Sequence, residues 1–306
     1  MIHPPVQPLV SVVIPCYRQA HFLGTAIESL LTQTHPSYEI IVVDDGSPDD
    51  VASVVARFPG VILCRQANAG LSQARNAGLS RCSGEFVVFL DADDRLLPNA
   101  LSDGVQAHSA YPGCAFVWGF NRPIDESGNP LPSEPRVFSG GAEYEQLLRE
   151  NVVGPPLGVM FRREMVASVG GFSTAVRFTE DYDLYLRLAR TYPSWCHGTL
   201  IAEYRFHTAN MSSDLDQMLD GVLGVLDHQK EWVRGDGRLR RALREGRRRA
   251  WQNYDGERRL RHLSAQARAG RWGPATFCAL ALLARYPRLF APILYRRMKR
   301  LVLLRV

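Results

Sequence analysis

The alternation of apolar runs and helical patterns in the first hundred residues constrains this chain more than anything else in it. "LVSVVIP" (9–15), "EIIVVDD" (39–45), "VILCR" (61–65) and "EFVVFL" (85–90) are short, almost unbroken apolar runs. Runs of that length without strict alternation suit strands covered on both faces. Between them, 21–33, 49–58 and 71–80 carry helical periodicity. The first has Phe22, Ala26, Ser29 and Leu30 along one face, and the second has acids in its first turn. Strand alternating with helix predicts an α/β fold, a Rossmann-like doubly wound and mostly parallel sheet, in which ligands sit at the carboxyl ends of strands. Residues 121–140, rich in Pro, Gly and Ser, read as a surface excursion. Helical patterns return at 142–151, 163–169 and 180–191, a β-like stretch follows at 195–204, and helix dominates from 215. The chain therefore divides into an α/β domain over 1–214 and a basic, helical region over 215–306.

Charge sharpens that division. Residues 1–233 hold 16 Lys+Arg and 27 Asp+Glu, a net of −11, whereas 234–306 hold 20 and 4, a net of +16. Different partners are expected for the two parts. The six cysteines are scattered without a CxxC pair, which predicts reduced thiols and a cytoplasmic setting. Neither a signal peptide nor a spanning apolar run is expected.

The chemistry should lie in the carboxylates. In "VVDDGSPDD", Asp44 and Asp45 leave a strand into a turn, where Asp49 or Ser47 could cap the next helix. The same pair could equally accept hydrogen bonds from a nucleotide base or ribose. In "FLDADD", Asp91 and Asp93 alternate, so in an extended segment they project to one side and repel unless a cation or proton intervenes. Magnesium or manganese takes a few carboxylate oxygens and completes its coordination with water and phosphate oxygens. The plainer reading is a solvated acidic turn, with Asp94 starting the helix after Pro98.

Asn68 to Asp94, "NAGLSQARNAGLSRCSGEFVVFLDADD", taken with "SVVIPCYRQ", "VVDDGS" and "GGFSTAVRFTEDYDLYLRLA" (170–189), resembles the inverting family-2 glycosyltransferases of the GT-A fold. The resemblance spans about residues 9–210 and its motifs stand in the family's order. It implies that Pro15 and Tyr17 lie beside the nucleotide, that Asp45 with Asp44 contacts the base, and that Arg75 and Asn76 shape the nucleotide pocket. It implies a divalent metal, Mg²⁺ or Mn²⁺, held through Asp93 as direct ligand with Asp91, and with His207 of "YRFHTANMS" nearby. Asp181 matches the catalytic base, with Glu180 beside it; both would also favour a helix N-terminus. The expected reaction moves one sugar from a nucleotide-sugar donor, a UDP-sugar, to a hydroxyl of a glycan or lipid-linked acceptor, with inversion. Neither a Q-x-x-R-W motif nor several spans are present, so a non-processive enzyme is expected.

The tail lies outside the resemblance. Its arginines could form a nucleic-acid arm or a solvated helix. In "RLFAPILYRRMKRLVLLRV" (288–306), however, Phe290, Leu294, Met298 and Leu301 follow helical spacing among basic residues, which suits an anionic membrane surface at the inner face or a helix docked on the protein. No nucleic-acid partner is expected, since the acidic front repels phosphate. A metal-dependent nucleotidyltransferase is the competing enzyme class, but it gives no reason for "TEDYDLYLRL".

Overall fold

The computed structural model describes residues 7–133 and 138–286. The four apolar runs become β1 (Val10–Cys16), β2 (Tyr38–Asp45), β3 (Ile62–Gln66) and β4 (Phe86–Phe89), interleaved with α1 (Ala20–Leu31), α2 (Val51–Val55) and α3 (Leu71–Leu79). All of β1 and β4 is buried, as strands between two helical layers must be. Further along are β5 (Arg95–Leu96), α4 (Ala100–Ala110), β6 (Phe116–Ile124), α5 (Tyr144–Arg149), β7 (Val159–Arg162), α6 (Arg163–Ser168), α7 (Glu180–Ala189) and β8 (Ser194–Arg205).

One mixed sheet runs β3-β2-β1-β4-β7-β6-β8-β5. Pairings β1–β2, β1–β4, β2–β3 and β6–β8 are parallel; β7 runs antiparallel to both neighbours, and β5 is antiparallel to β8. From β1 the chain moves outward through β2 and β3 on one side, then returns to place β4 on the other. That reversal opens a crevice at the strands' carboxyl ends. Asp45 ends β2 there, and the loops leaving β1 and β4 carry Tyr17 and Asp91.

Several expectations are corrected. β6 continues to Ile124, so the surface excursion begins later than residue 121. Asp50, not Asp49 or Ser47, caps α2, accepting from Ser53 N at 3.0 Å. Asp49 instead accepts from Ala20 N at 2.8 Å and ties down the start of α1. The buried face of α1 is Leu23, Ala26, Ile27 and Leu30, because Phe22 turns aside to lie 5.2 Å from the His207 ring. Asp94 does not start α4: it is 1% exposed, and Asn99 precedes that helix.

Packing sets where α3 and α7 stand. Tyr185 of α7 packs against Phe116 and Phe161, with ring centroids 5.3 and 6.1 Å apart, and Phe89 meets Phe172 edge-on at 4.8 Å. Arg187 clamps the preceding loop through Val169 O and Gly171 O, both at 2.7 Å. Gly78 lets α3 approach β1 closely, since a Cβ there would lie 2.2 Å from Val13 Cγ1.

The chain separates into two compact units, one reaching Leu147 and resuming over Asn151–Asn210, the other comprising Leu148–Glu150 and the chain from Met211. The second contains α8 (Leu215–His228), α9 (Gly237–Arg268) and α10 (Trp272–Arg285). Asp214 and Asp236 cap the first two of these. Asp255, 1% exposed, ties α9 to the end of α10 by accepting from Tyr286 Oη at 2.8 Å. Burial opposes its ionisation, but hydrogen bonds from Arg259, Tyr286 and Arg258 prevail and bring it to about 2. Among the described residues no helix is long and apolar enough to cross a membrane. The basic stretch 288–306, with its proposed stripe, lies outside the described residues.

Gly→Ala inside a helix ordinarily gains up to ~1 kcal/mol. At Gly78 the clash with Val13 reverses the sign, so Gly78→Ala should lower stability by about 1–3 kcal/mol. Urea unfolding would read this as a lower midpoint at unchanged slope; a raised midpoint would contradict the packing of α3 on β1.

Candidate active site

The acidic turn after β4 is buried, and its charges are answered by two arginines. Arg75, on α3 and 2% exposed, donates from Nη2 to Asp91 Oδ1 at 2.7 Å. Burial works against its charge, but Asp91, and then Glu180 and Asp181, outweigh this and hold the guanidinium firmly protonated. Among the described residues neither Arg75 Nε nor the buried Oδ2 of Asp94 has a hydrogen-bond partner. Burial, then the neighbouring carboxylates, raises Asp93 and raises Asp94 further. A cation placed here would relieve that repulsion.

The two-residue strand β5 supplies the second side of the site. It pairs Arg95 with Glu203 and Leu96 with Ala202. The chain leaving β8 is thereby drawn across the acidic turn. Arg205 donates from its backbone N to Asp94 Oδ1 at 2.8 Å and from Nε to Asp93 O at 2.7 Å. His207 Nε2 then lies 2.8 Å from Asp93 Oδ2, and Gln19 Nε2 donates to the same oxygen at 2.7 Å. Gln19, Asp94 and Arg205 are not among the site residues expected from the sequence. Only Asp94 had a signal, as the last acid of "DADD"; the others meet the site through tertiary pairing alone.

The residues present fit a divalent cation. Among the described residues no three acid, His or Cys side chains converge as a cage. Asp93 Oδ2 and His207 Nε2 instead touch each other at 2.8 Å, a contact that a cation would take the place of, while Asp91 is engaged by Arg75. Mg²⁺ commonly takes only one or two protein ligands and finds the remainder in phosphate and water, and an imidazole donor also suits Mn²⁺.

Asp45 and Asp44 sit at the end of β2. Asp45 accepts from Gln66 Nε2 at 2.7 Å, Ala69 N at 2.9 Å and Gly70 N at 2.9 Å, so it shapes the loop entering α3. Asp44 accepts from Ser47 N at 2.9 Å, with Arg65 3.7 Å away. Gly46 needs its positive φ of 66°, and a Cβ there would meet Asn68 N at 2.6 Å. Pro15 is buried within β1, whereas Tyr17 beyond it is 40% exposed, with the Arg18 guanidinium 5.2 Å from its ring centroid. Asn76 is occupied by backbone: it donates to Phe172 O and accepts from Phe172 N, both at 2.8 Å. It thereby fixes the loop before α7 to α3.

Glu180 and Asp181 open α7 facing Arg75. Glu180 is 7% exposed, and burial raises its carboxyl. Burial likewise pushes Asp181 up to about 7, with Arg75 opposing. Asp181 keeps part of its surface exposed, and accepts a hydrogen bond from Tyr182 N at 2.7 Å. Thr179 Oγ1 and Tyr185 Oη nearby are buried without hydrogen-bond partners among the described residues. The only non-glycine residues with positive φ among those described are Arg18 at 58°, just before Gln19, and Phe178 at 70°, just before α7. Such strain persists where surrounding packing over-determines it.

The comparisons agree with this geometry. A sequence profile described as glycosyl transferase family 2 matches residues 11–170. TuaG of Bacillus subtilis (strain 168), a candidate teichuronic acid biosynthesis glycosyltransferase, is 28% identical over 217 residues, covering 68% of this chain and 83% of TuaG. The fold is shared with S. aureus TarS 1–349 in complex with UDP-GlcNAc, at 16% identity and TM-score 0.60, over 90% of this chain and 91% of that one. It is shared too with the mannosyltransferase PcManGT of Pyrobaculum calidifontis in complex with GDP-Man and Mn²⁺, at 19% identity and TM-score 0.62, over 98% and 81%. The strand-end carboxylates, the GT-A sheet that presents them and the profile spanning more than half the chain lead to one conclusion: this protein belongs to glycosyltransferase family 2.

Proposed function

We propose that the chain is a non-processive, inverting transferase that moves a sugar from a nucleoside diphosphate to a hydroxyl of a glycan or lipid-linked acceptor. The observation that supports this reading is the convergence of acids from two parts of the chain on the Arg75 guanidinium: Asp91, next to the Asp93–His207 contact, from the turn after β4, and Glu180 with Asp181 from the start of α7. The acceptor oxygen attacks the anomeric carbon, the diphosphate departs with the bonding electrons from the opposite face, and Asp181 takes the acceptor proton. A carboxyl near pH 7 is matched to that task, which typically contributes ~10²–10⁴-fold. Asp93 and His207 would hold the divalent metal, which when bound supplies positive charge against the leaving diphosphate. Asp45, with the backbone it orders, and exposed Tyr17 offer a floor and a flat face for the nucleotide base. Arg75 keeps the donor-side and acceptor-side carboxylates together in one buried network. The UDP-GlcNAc and GDP-Man complexes of fold neighbours support a nucleotide-sugar donor, here a UDP-sugar.

UDP-GlcNAc binding followed by calorimetry should require Mn²⁺ or Mg²⁺. Asp93→Ala should weaken it by about tenfold or more, a loss of ~1.4 kcal/mol, while Asp181→Asn leaves it nearly unchanged. Turnover should release nucleoside diphosphate, and pyrophosphate in its place would favour the nucleotidyltransferase class. Metal-independent binding, or equal losses in both variants, would contradict the assigned sides of the crevice.

The basic region is read as a membrane-surface element. On α10, Trp272, Phe277 and Leu280 share one face and are 58%, 74% and 60% exposed. Arg268, Arg271 and Arg285 are exposed close by. Apolar face with basic rim suits anionic lipid. Flotation with phosphatidylserine vesicles should carry the full chain, and Phe277→Glu with Leu280→Glu should release it. Flotation of the double variant undiminished would remove α10 from the contact.

A further inference from the structure

A second cavity lies in the α/β unit, away from the carboxylate crevice. It measures about 730 Å³ and is walled by Tyr111, Tyr144, Tyr192 and Trp195, with Arg190 and Glu143 at its polar positions. Small-molecule sites commonly occupy about 300–1,000 Å³. The cavity forms where α4 and α7 end and β8 begins. Asp181 stands at the other end of α7, and His207 beyond the other end of β8. A helix rises 1.5 Å per residue, so the ten residues of α7 put about 15 Å between the two ends.

The wall is built from flat rings with polar edges. Tyr111 and Trp195 stack at 3.9 Å with planes 21° apart, and Tyr111 remains 37% exposed. Burial pushes the Tyr144 hydroxyl up to about 12, so it stays a neutral hydrogen-bonding group at any physiological pH. Pro112 and Pro193 stiffen the two turns that present the rings. One arginine and one glutamate leave the lining without net charge, which disfavours phosphates and polyanions. A pyranose has the matching form: a face of C–H bonds for an aromatic ring, a rim of hydroxyls for phenol, guanidinium and carboxylate, and no charge.

We infer that this cavity is a saccharide-binding site distinct from the catalytic crevice, made for neutral pyranose units of an oligosaccharide or polysaccharide. The glycosyltransferase reading explains why such a chain would be at hand, but the binding itself does not depend on it. A glycan held there would be tethered to the enzyme while another part of the same molecule, or a neighbouring one, enters the crevice. Tethering raises effective acceptor concentration without changing the chemistry.

Saturation-transfer NMR on the full chain with maltohexaose, cellohexaose and xylohexaose tests the inference. At least one should bind, and should bind equally in the presence of saturating UDP-GlcNAc with Mn²⁺ and in Asp93→Ala. Tyr111→Ala should weaken it by about tenfold, with Tyr111→Phe close to wild type. Tyr192→Ala gives an independent wall variant if Tyr111→Ala fails to fold, folding being read from circular dichroism. Binding by none of the three sugars would overturn the inference, as would binding that UDP-GlcNAc displaces or that survives both wall variants. Donor binding is scored separately, so loss of donor binding alone would count against the transferase reading and leave this site standing.

Discussion

The buried guanidinium of Arg75 holds the rest of the site together. Asp91, Glu180 and Asp181 come from two distant parts of the chain and converge on it, and without a fixed positive charge their mutual repulsion would drive them toward water. Removing one partner from a buried ionic cluster is far more damaging than its net contribution suggests, because the remaining charges are left uncompensated. Arg75 can occupy this place because Gly78, one turn further along α3, allows the helix to settle against β1. A small residue in one position thus determines where a charge stands in another.

The opposite side depends on β5. Two residues of antiparallel pairing are a weak strand by themselves, but Arg95 bonds Glu203 at 2.6 Å and Arg122 bonds it at 2.7 Å, which pins the register. That register brings Arg205 and His207 onto the acidic turn. On the side of α7, Asn76 and Arg187 bind backbone carbonyls of the 169–172 loop, and Tyr185 anchors α7 against the aromatic core. The groups proposed to serve the donor and the acceptor are thereby mounted on separate supports around one charge, which is what positioning for the proposed displacement would require.

Much of this was legible in the sequence because periodicity and strand-end position suffice for it. The four apolar runs announce a parallel sheet, and the acids that follow them must lie at its carboxyl edge. The α7 motif was legible too, since "TEDYD" opens a helix with three acids. Other features follow from tertiary pairing that has no local signal. Residues 95–96 are too short a strand to recognise, so the contact of His207 with Asp93 had no local cause. Asn76 is polar and near the site in sequence, yet its partners are backbone groups nearly a hundred residues away. The buried face of α1 takes Leu23 and Ile27 in place of Phe22 and Ser29, because Phe22 lies against His207 and not in the core. The cavity beyond α7 gathers its aromatic walls from three segments, none with a pattern of its own.

Asp181 is the residue on which the account turns, since burial lifts it to about 7 where an ordinary aspartate would sit near 4. A base must be deprotonated, so activity should rise with pH through that value. The direct measurement is kcat/KM for nucleoside diphosphate release between roughly pH 5 and 9, which reports the essential base of the enzyme before acceptor binds. The account predicts an acid limb centred near pH 7 and a plateau above it, with Asp181→Asn lowering the plateau by about 10²-fold or more. A profile flat through pH 7, or an acid limb retained at full rate in Asp181→Asn, would contradict it.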